Sequence, residues 1–281
     1  MTKDMGYFRY LRGNITSKIF SIRVLVICLV QFLFHDSVVR SINTLSLQYD
    51  EDVSPFLFPL MCGSLVFIMI FGFCVLYLFS EVPYMNQKEL YYIIRSGRFK
   101  WLFAQEITIT VLAFFLIVYS FLIDIIRLFP HLSFADTWDR IEMSLAYGTL
   151  SADEVLFEMD ILQMYSPFEI MLYGSVVGFL VVNFVGHLMY TLSLVFHRLV
   201  AVLVGSILAL MPIVTFNTSY IFRFVYYVSP FSWISPGYIV RSVSVPNLVY
   251  KIAACLAGAI ICICVDCIVI KNRDFDWTVE E

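Results

Sequence analysis

Long apolar runs divide the chain into six segments that could each cross a bilayer. A hydrocarbon core about 30 Å thick needs about 20 mostly apolar residues in a helix. Six runs of this length in one chain favour membrane spans over the core helices of a soluble domain. The predicted spans are residues 20–39, 55–80, 101–128, 167–194, 199–216 and 248–270.

A polar stretch between the second and third predicted spans has the pattern of a short basic helix. Leu90, Ile93 and Ile94 recur at helical spacing, and Gly97 is a typical stop signal. The pattern predicts a coupling helix over residues 88–98, on which a partner protein can act. The side chains predicted to dock that partner are Lys88, Glu89, Tyr91, Tyr92, Arg95 and Arg98.

Two outer loops also carry structural signals. In residues 130–166, Ser151–Glu154 has capping-box spacing, and Asp136 or Thr137 is expected to cap a helix that ends near Gly148. This loop is acidic, which could attract a cationic substrate, although a solvated face is the simpler interpretation. Residues 219–247 are apolar but broken by prolines, which predicts a re-entrant helix pair covered by other protein segments.

Composition agrees with a multi-pass membrane protein. Hydrophobic residues make up 60% of the 281 residues and charged residues only 14%, too few charges for the surface of a soluble domain. The Lys/Arg bias of the loops alternates, which predicts that both termini and the coupling helix are cytoplasmic in a cell (plasma) membrane. The loop before the last span departs from this pattern, with Arg223, Arg241 and Lys251 on the outer side. We therefore expect an all-α protein with a single transmembrane domain over residues 1–281.

Motifs for chemistry are absent from the sequence. There is no phosphate loop, no HExxH and no GxSxG, so we expect no catalytic centre, no cofactor and no nucleic-acid partner. The cluster Cys262, Cys264 and Cys267 lacks the second ligand pair of a zinc site. Buried cysteines behave as small hydrophobes, and packing is the expected role of these three.

Strongly polar residues within the predicted spans are few, and ionisable ones there are functional candidates. Asn183 and His187 share one helix face and either line a pathway or hydrogen-bond to a neighbouring helix. No pair of intramembrane carboxylates suited to acid–base chemistry is expected. The polar positions are Gln31, Gln105, Glu106, Asp124, Glu169, Asn183, His187 and Asp266.

Local partners are the simplest expectation for two of these carboxylates. Asp124 lies three residues before Arg127, and Glu106 could bond back to Arg98 or Lys100. Close helix packing is expected at the GxxxG pattern that begins at Gly174.

The run Tyr92–Trp101, the re-entrant loop and an amphipathic N-terminal segment together resemble a known family. The layout is similar to the membrane-spanning permease subunit of bacterial type-2 ATP-binding-cassette (ABC) exporters. The resemblance implies a homodimer of permeases with two separate ATPase subunits, which hold ATP and Mg. The coupling helix would then sit in a cleft of each ATPase, and this chain would not itself be an enzyme.

By the same resemblance, the second and fifth helices would contribute most to a pathway for cargo. An apolar pathway suits amphipathic or hydrophobic cargo, above all peptides, because it cannot replace the water of a hydrated ion or sugar. The competing hypothesis is a six-span protein without an ATPase: a secondary transporter, a sensor or an integral membrane enzyme. The candidate pathway-lining residues are Phe67, Phe71, Phe73, Ile207 and Met211, with Asn183 and His187.

Overall fold

The chain folds into a bundle of long helices, and the part that the structure describes contains no β-strand. This computed structural model describes residues 2–85, 87–150, 157–217, 224–237 and 246–272. The helices are α1 (Thr2–Ile19), α2 (Ile22–Tyr49), α3 (Phe58–Met61), α4 (Leu65–Phe79), α5 (Gln87–Ser96), α6 (Arg98–Leu128), α7 (Arg140–Ala146), α8 (Met159–Met164), α9 (Pro167–Val195), α10 (Arg198–Asn217), α11 (Phe224–Val228) and α12 (Leu248–Asn272). Within the described ranges, five of them (α2, α6, α9, α10 and α12) are long and apolar enough to cross a membrane.

The second predicted span, residues 55–80, is not one continuous helix. α3 ends at Met61, a turn follows, and α4 has only 15 residues, too few for a full crossing. At the break, the N–H groups of Gly63 and Ser64 donate to the carbonyls of Leu60 and Met61, each at 2.9 Å. At the start of α3, the backbone N–H of Phe58 donates to the Asp124 carboxylate at 2.9 Å. Non-helical backbone at membrane depth needs such internal partners. The prediction of six uninterrupted spans is therefore replaced by five long helices and one divided segment.

α5 lies at one end of the bundle, called the hinge end below, and α7 and α8 lie at the other, called the loop end. At the hinge end, the start of α2 meets the end of α4, where Arg23 bonds to Ser80 and pairs with Glu81. Arg198, at the start of α10, donates to the Ser80 carbonyl. These contacts tie the hinge-end termini of α2, α4 and α10 together.

The loop end is more ordered than predicted. α2 continues to Tyr49, ten residues past its predicted end, and terminates at Asp50 in the left-handed conformation (φ 52°). α7 is capped by Asp139, and not by Asp136 or Thr137 as expected, in a capping box with Glu142. The predicted capping box at 151–154 lies outside the described residues.

Glu142 links α7 to the segment between α2 and α3. Its carboxylate accepts hydrogen bonds from the backbone N–H of Ser54 at 3.2 Å and of Asp139 at 3.0 Å. Burial raises the pKa of Glu142 to about 8, and the two backbone donors oppose that shift. A buried carboxylate thus couples the packing of the loop end to pH.

The described part of the apolar loop 219–247, where the sequence predicts a re-entrant segment, enters the bundle. Its 3-10 helix Phe231–Ile234 is buried throughout and packs against α4, α9 and α10. Phe231 comes close to Gly72, in the middle of α4. Lys251, which disturbed the charge pattern of the sequence, is buried and donates to the hydroxyl of Tyr173 at 2.7 Å. Its charge is therefore covered by protein and is not displayed on a loop.

Candidate functional site

The helix α5 is the predicted coupling helix, and a buried carboxylate anchors it to the bundle. Glu89 faces inward and accepts hydrogen bonds from the hydroxyl of Tyr10 in α1 and from Nε1 of Trp101 in α6, the latter at 3.0 Å. The ring of Tyr92 stacks on Tyr10, with centroids 3.5 Å apart. Burial raises the pKa of Glu89, while the bonds from Tyr10 and Trp101 oppose that rise. The inner face of α5 is thus fixed to two other helices.

Among the described side chains of α5, two large apolar ones and an arginine are exposed on the outer face. Tyr91 is 77% exposed and Ile94 is 80% exposed, and Arg95 is exposed beside them. Apolar side chains of this size normally lie on a core or a partner. Ile94 was expected on the inner face with Ile93, but only Ile93 of these two is buried. Gly97 ends the helix as predicted, with φ 93°.

The structure divides the predicted docking set into two groups. Tyr91 and Arg95 are on the outer face, whereas Glu89 is buried and Tyr92 is half-buried. The latter two hold α5 in place, so we reassign them from docking to anchoring. Arg98 is half-buried at the first position of α6. Lys88 belongs to α5, but its side chain lies outside the described part of the chain.

The predicted pathway residues also separate. Phe67 and Phe71 are buried in the chain's own core, where both rings contact Phe58. They do not reach a surface that could line a path between two copies, which corrects the expectation for α4. Phe73 and Ile207 are exposed, on the adjacent helices α4 and α10. Met211 is half-buried on α10.

A buried polar cluster joins three of the spanning helices near the hinge end. Glu106 of α6 pairs with His187 of α9, and Asp266 of α12 accepts a hydrogen bond from Thr191 at 2.9 Å. The Asp266 carboxyl also lies within hydrogen-bonding reach of Glu106. The exposed fractions of Glu106, His187 and Asp266 are 5%, 2% and 0%. This arrangement corrects two expectations, the bond from Glu106 back to Arg98 or Lys100 and the absence of an intramembrane carboxylate pair.

Asn183 shares a helix face with His187 but does not join this cluster. It is half-buried one turn before His187, and its Oδ1 has no hydrogen-bond partner among the described residues. His187, by contrast, satisfies the second of the two alternatives, since it bonds to a neighbouring helix.

A second buried pair lies near the loop end. His35 Nδ1 is 2.7 Å from Asp124 Oδ1, and both side chains are fully buried. One turn away, Ser120 donates to Gln31 at 3.3 Å. Asp124 therefore pairs with α2 and not with Arg127, which forms an ion pair with Asp36 instead. Because Asp124 also accepts the bond from Phe58, this pair holds the divided second segment in place.

These groups do not form a metal-binding site. Within the described residues, no three His, Cys, Asp or Glu side chains converge on a point that could hold a metal ion. Cys262 is buried whereas Cys264 is exposed, so the cysteine cluster does not gather on one side of α12.

Comparison with known proteins gives no relative. No family model matches the chain, and no curated protein or solved structure is detectably similar to it.

Proposed function

We propose that this chain is the membrane-spanning permease subunit of an ATP-driven ABC exporter, with a separate ATP-binding subunit docked on α5. The observation that carries this proposal is the exposed face of Tyr91, Ile94 and Arg95 on a helix that is firmly anchored at its other face. Tyrosine and arginine are enriched at protein–protein contacts, and Ile94 adds an exposed apolar side chain beside them.

The anchoring suits a mechanical role. Only Gly97 separates α5 from α6, and Glu89 ties α5 to both α1 and α6. A push on α5 would therefore move the 31-residue helix α6 as a rigid body, as alternating access requires. ATP and Mg would be held by the partner, and hydrolysis would take place there.

The proposal includes two copies of this chain in a cell membrane, with both termini and α5 in the cytoplasm. The exposed side chains of α4 and α10 between their ends are apolar, among them Phe73 and Ile207. A second copy facing this surface would leave an uncharged path, which suits amphipathic or hydrophobic cargo such as peptides.

Co-purification tests the docking step. We expect the double variant Ile94→Glu/Arg95→Glu to lose the ATPase subunit, because it places two acidic groups on the contact face. Arg140→Glu is the matched control, since Arg140 is an exposed arginine at the loop end whose surface pair with Glu51 contributes little. Equal recovery of the ATPase with both variants would refute docking on α5.

A second candidate is a secondary transporter without an ATPase. The buried cluster of Glu106, His187 and Asp266 favours it, because ionisable groups on facing spans often form proton relays. Uptake or export driven by a pH gradient in vesicles that contain this chain alone would support the second candidate against the first.

A further inference from the structure

Three ionisable side chains meet inside the bundle, each from a different helix. Glu106 contacts His187 directly, and Asp266 reaches Glu106 while its other oxygen is held by Thr191. Glu106 is eight residues into α6, about 12 Å from the hinge end of that helix. The cluster is therefore buried, but within reach of one membrane surface.

The charges of this cluster do not balance when all three groups are ionised. One imidazolium together with two carboxylates leaves one net negative charge in a buried site. Like charges at close range in a low-dielectric site hold a proton between them. One bound proton makes the cluster neutral.

Unsatisfied oxygens point to the same proton. Carboxylate oxygens only accept hydrogen bonds, so Glu106 and Asp266 can bond to each other only when one of them is protonated. Asp266 Oδ1 has no other hydrogen-bond partner among the described residues. The hydroxyl of Tyr190, fully buried beside both carboxylates, is also without a partner there. These unpaired buried polar atoms independently indicate a further proton bound in the cluster.

We propose that Glu106, His187 and Asp266 form an intramembrane site that binds and releases one exchangeable proton. A proton from water is taken up by the carboxylate pair, so the net charge changes from −1 to 0, and release reverses the step. A proton fits better than a metal cation because, within the described residues, no three His, Cys, Asp or Glu side chains are placed to hold a metal ion. The titratable and hydroxyl groups around the site are Glu106 from α6; His187, Tyr190 and Thr191 from α9; Cys262, Asp266 and Cys267 from α12; and Tyr10 from α1.

Proton counting on the purified full-length chain tests this site without any ATPase or cargo, so its outcome is separate from that of the proposed function. A pH jump across the range of about 5 to 9, read with an indicator dye, gives the protons bound per chain. We expect Asp266→Asn to bind about one proton fewer than the wild type. The amide oxygen introduced by this substitution can still accept the bond from Thr191, so the fold should persist. Asp160→Asn, at an exposed carboxylate of α8, is the matched control, because exposed aspartates ordinarily titrate below this range.

Infrared spectra give a second readout, because they detect protonated carboxyl groups directly. We expect the band of protonated carboxyls at neutral pH to be stronger in wild type than in Asp266→Asn and Glu106→Gln, and equal in wild type and Asp160→Asn; the buried Glu142 contributes equally to all four. A band of equal strength in wild type and Asp266→Asn, or equal proton counts in these two proteins, would overturn the proposal. A titration that shifts when sodium replaces potassium would show that a metal cation, and not a proton, is the ligand.

Discussion

Gly174 holds α9 against the ring of Pro59, and the change Gly174→Ala tests how tightly the divided second segment is packed. A Cβ added at Gly174 would lie 2.7 Å from Pro59 Cβ and closer still to Cγ. Carbon atoms pack at about 3.5–4.0 Å, and a proline ring cannot rotate away. The backbone of α3 or α9 must therefore move.

The magnitude follows from two opposing effects. Overpacking of a filled core costs about 1–3 kcal/mol, whereas Gly→Ala inside a helix gains up to about 1 kcal/mol. The matched control is Gly13→Ala in α1, where an added Cβ meets nothing within 4 Å. It has the same gain in propensity without the clash. The difference between the two variants isolates the clash, and we expect Gly174→Ala to be less stable by about 1–3 kcal/mol.

Thermal unfolding in detergent measures this difference through the chain's own cysteines. Cys264 is exposed and reacts with a fluorogenic thiol dye before heating, whereas the buried Cys62 and Cys74 add to the signal only when the bundle opens. A difference of about 1–3 kcal/mol corresponds to a shift of several degrees in a chain of this size. A midpoint for Gly174→Ala at or above that of Gly13→Ala would refute the close approach of α9 to Pro59.

Three further predictions concern the two ends of the bundle and the cargo. Because burial raises the pKa of Glu142 from 4.5 to about 8, its contribution to stability is complete below pH 4.5 and is lost as the pH rises through about 8. Hydrogen exchange of α7, corrected for intrinsic rates, should show this loss in wild type and not in Glu142→Gln, and a pH-independent wild type would contradict it. On a cysteine-free background in intact cells, an impermeant thiol reagent should label Asp160→Cys and spare Arg95→Cys; the reverse pattern would invert the topology. In the reconstituted complex, cationic amphipathic peptides should stimulate ATP hydrolysis, and stimulation by a hydrophilic sugar with peptides inert would contradict an apolar path.

The long helices could be predicted from the sequence, because the hydropathy of a segment directly indicates whether it can lie in a bilayer. The break in the second segment was not, since the residues around the turn at Gly63 are as apolar as those of a continuous span. The short helix before the turn is fixed at its first residue by the bond from Phe58 to Asp124, 66 residues away. Hydropathy gives no information on such long-range partners.

The buried polar cluster was missed for a related reason. The sequence assigned Glu106 to the nearby charges of Arg98 and Lys100, whereas its real partner is on another helix. The distance of each residue from the hinge end of its helix could have indicated the contact. Glu106 lies eight residues after the start of α6, and His187 lies eight residues before the end of α9. Helices that run in opposite directions bring such positions to one level. Counting residues from the hinge end would have predicted their contact.

The inner and outer faces of α5 were only partly predictable. Helical spacing placed Ile93 inside, but it also placed Ile94 there, and Ile94 is exposed. The aromatic stack of Tyr92 on Tyr10 depends on the position of α1, which local spacing does not contain.

Photo-crosslinking from α5 tests the central proposal most directly. A benzoyl-phenylalanine in place of Tyr91 would sit on the exposed face of α5, and the same group in place of Phe114, exposed midway along α6, would face lipid. In intact cells we predict that position 91 forms an adduct with a separate nucleotide-binding subunit and that position 114 does not. Adducts at position 91 only with lipid, or with a protein that does not bind ATP, would contradict the assignment of this chain as an ABC permease.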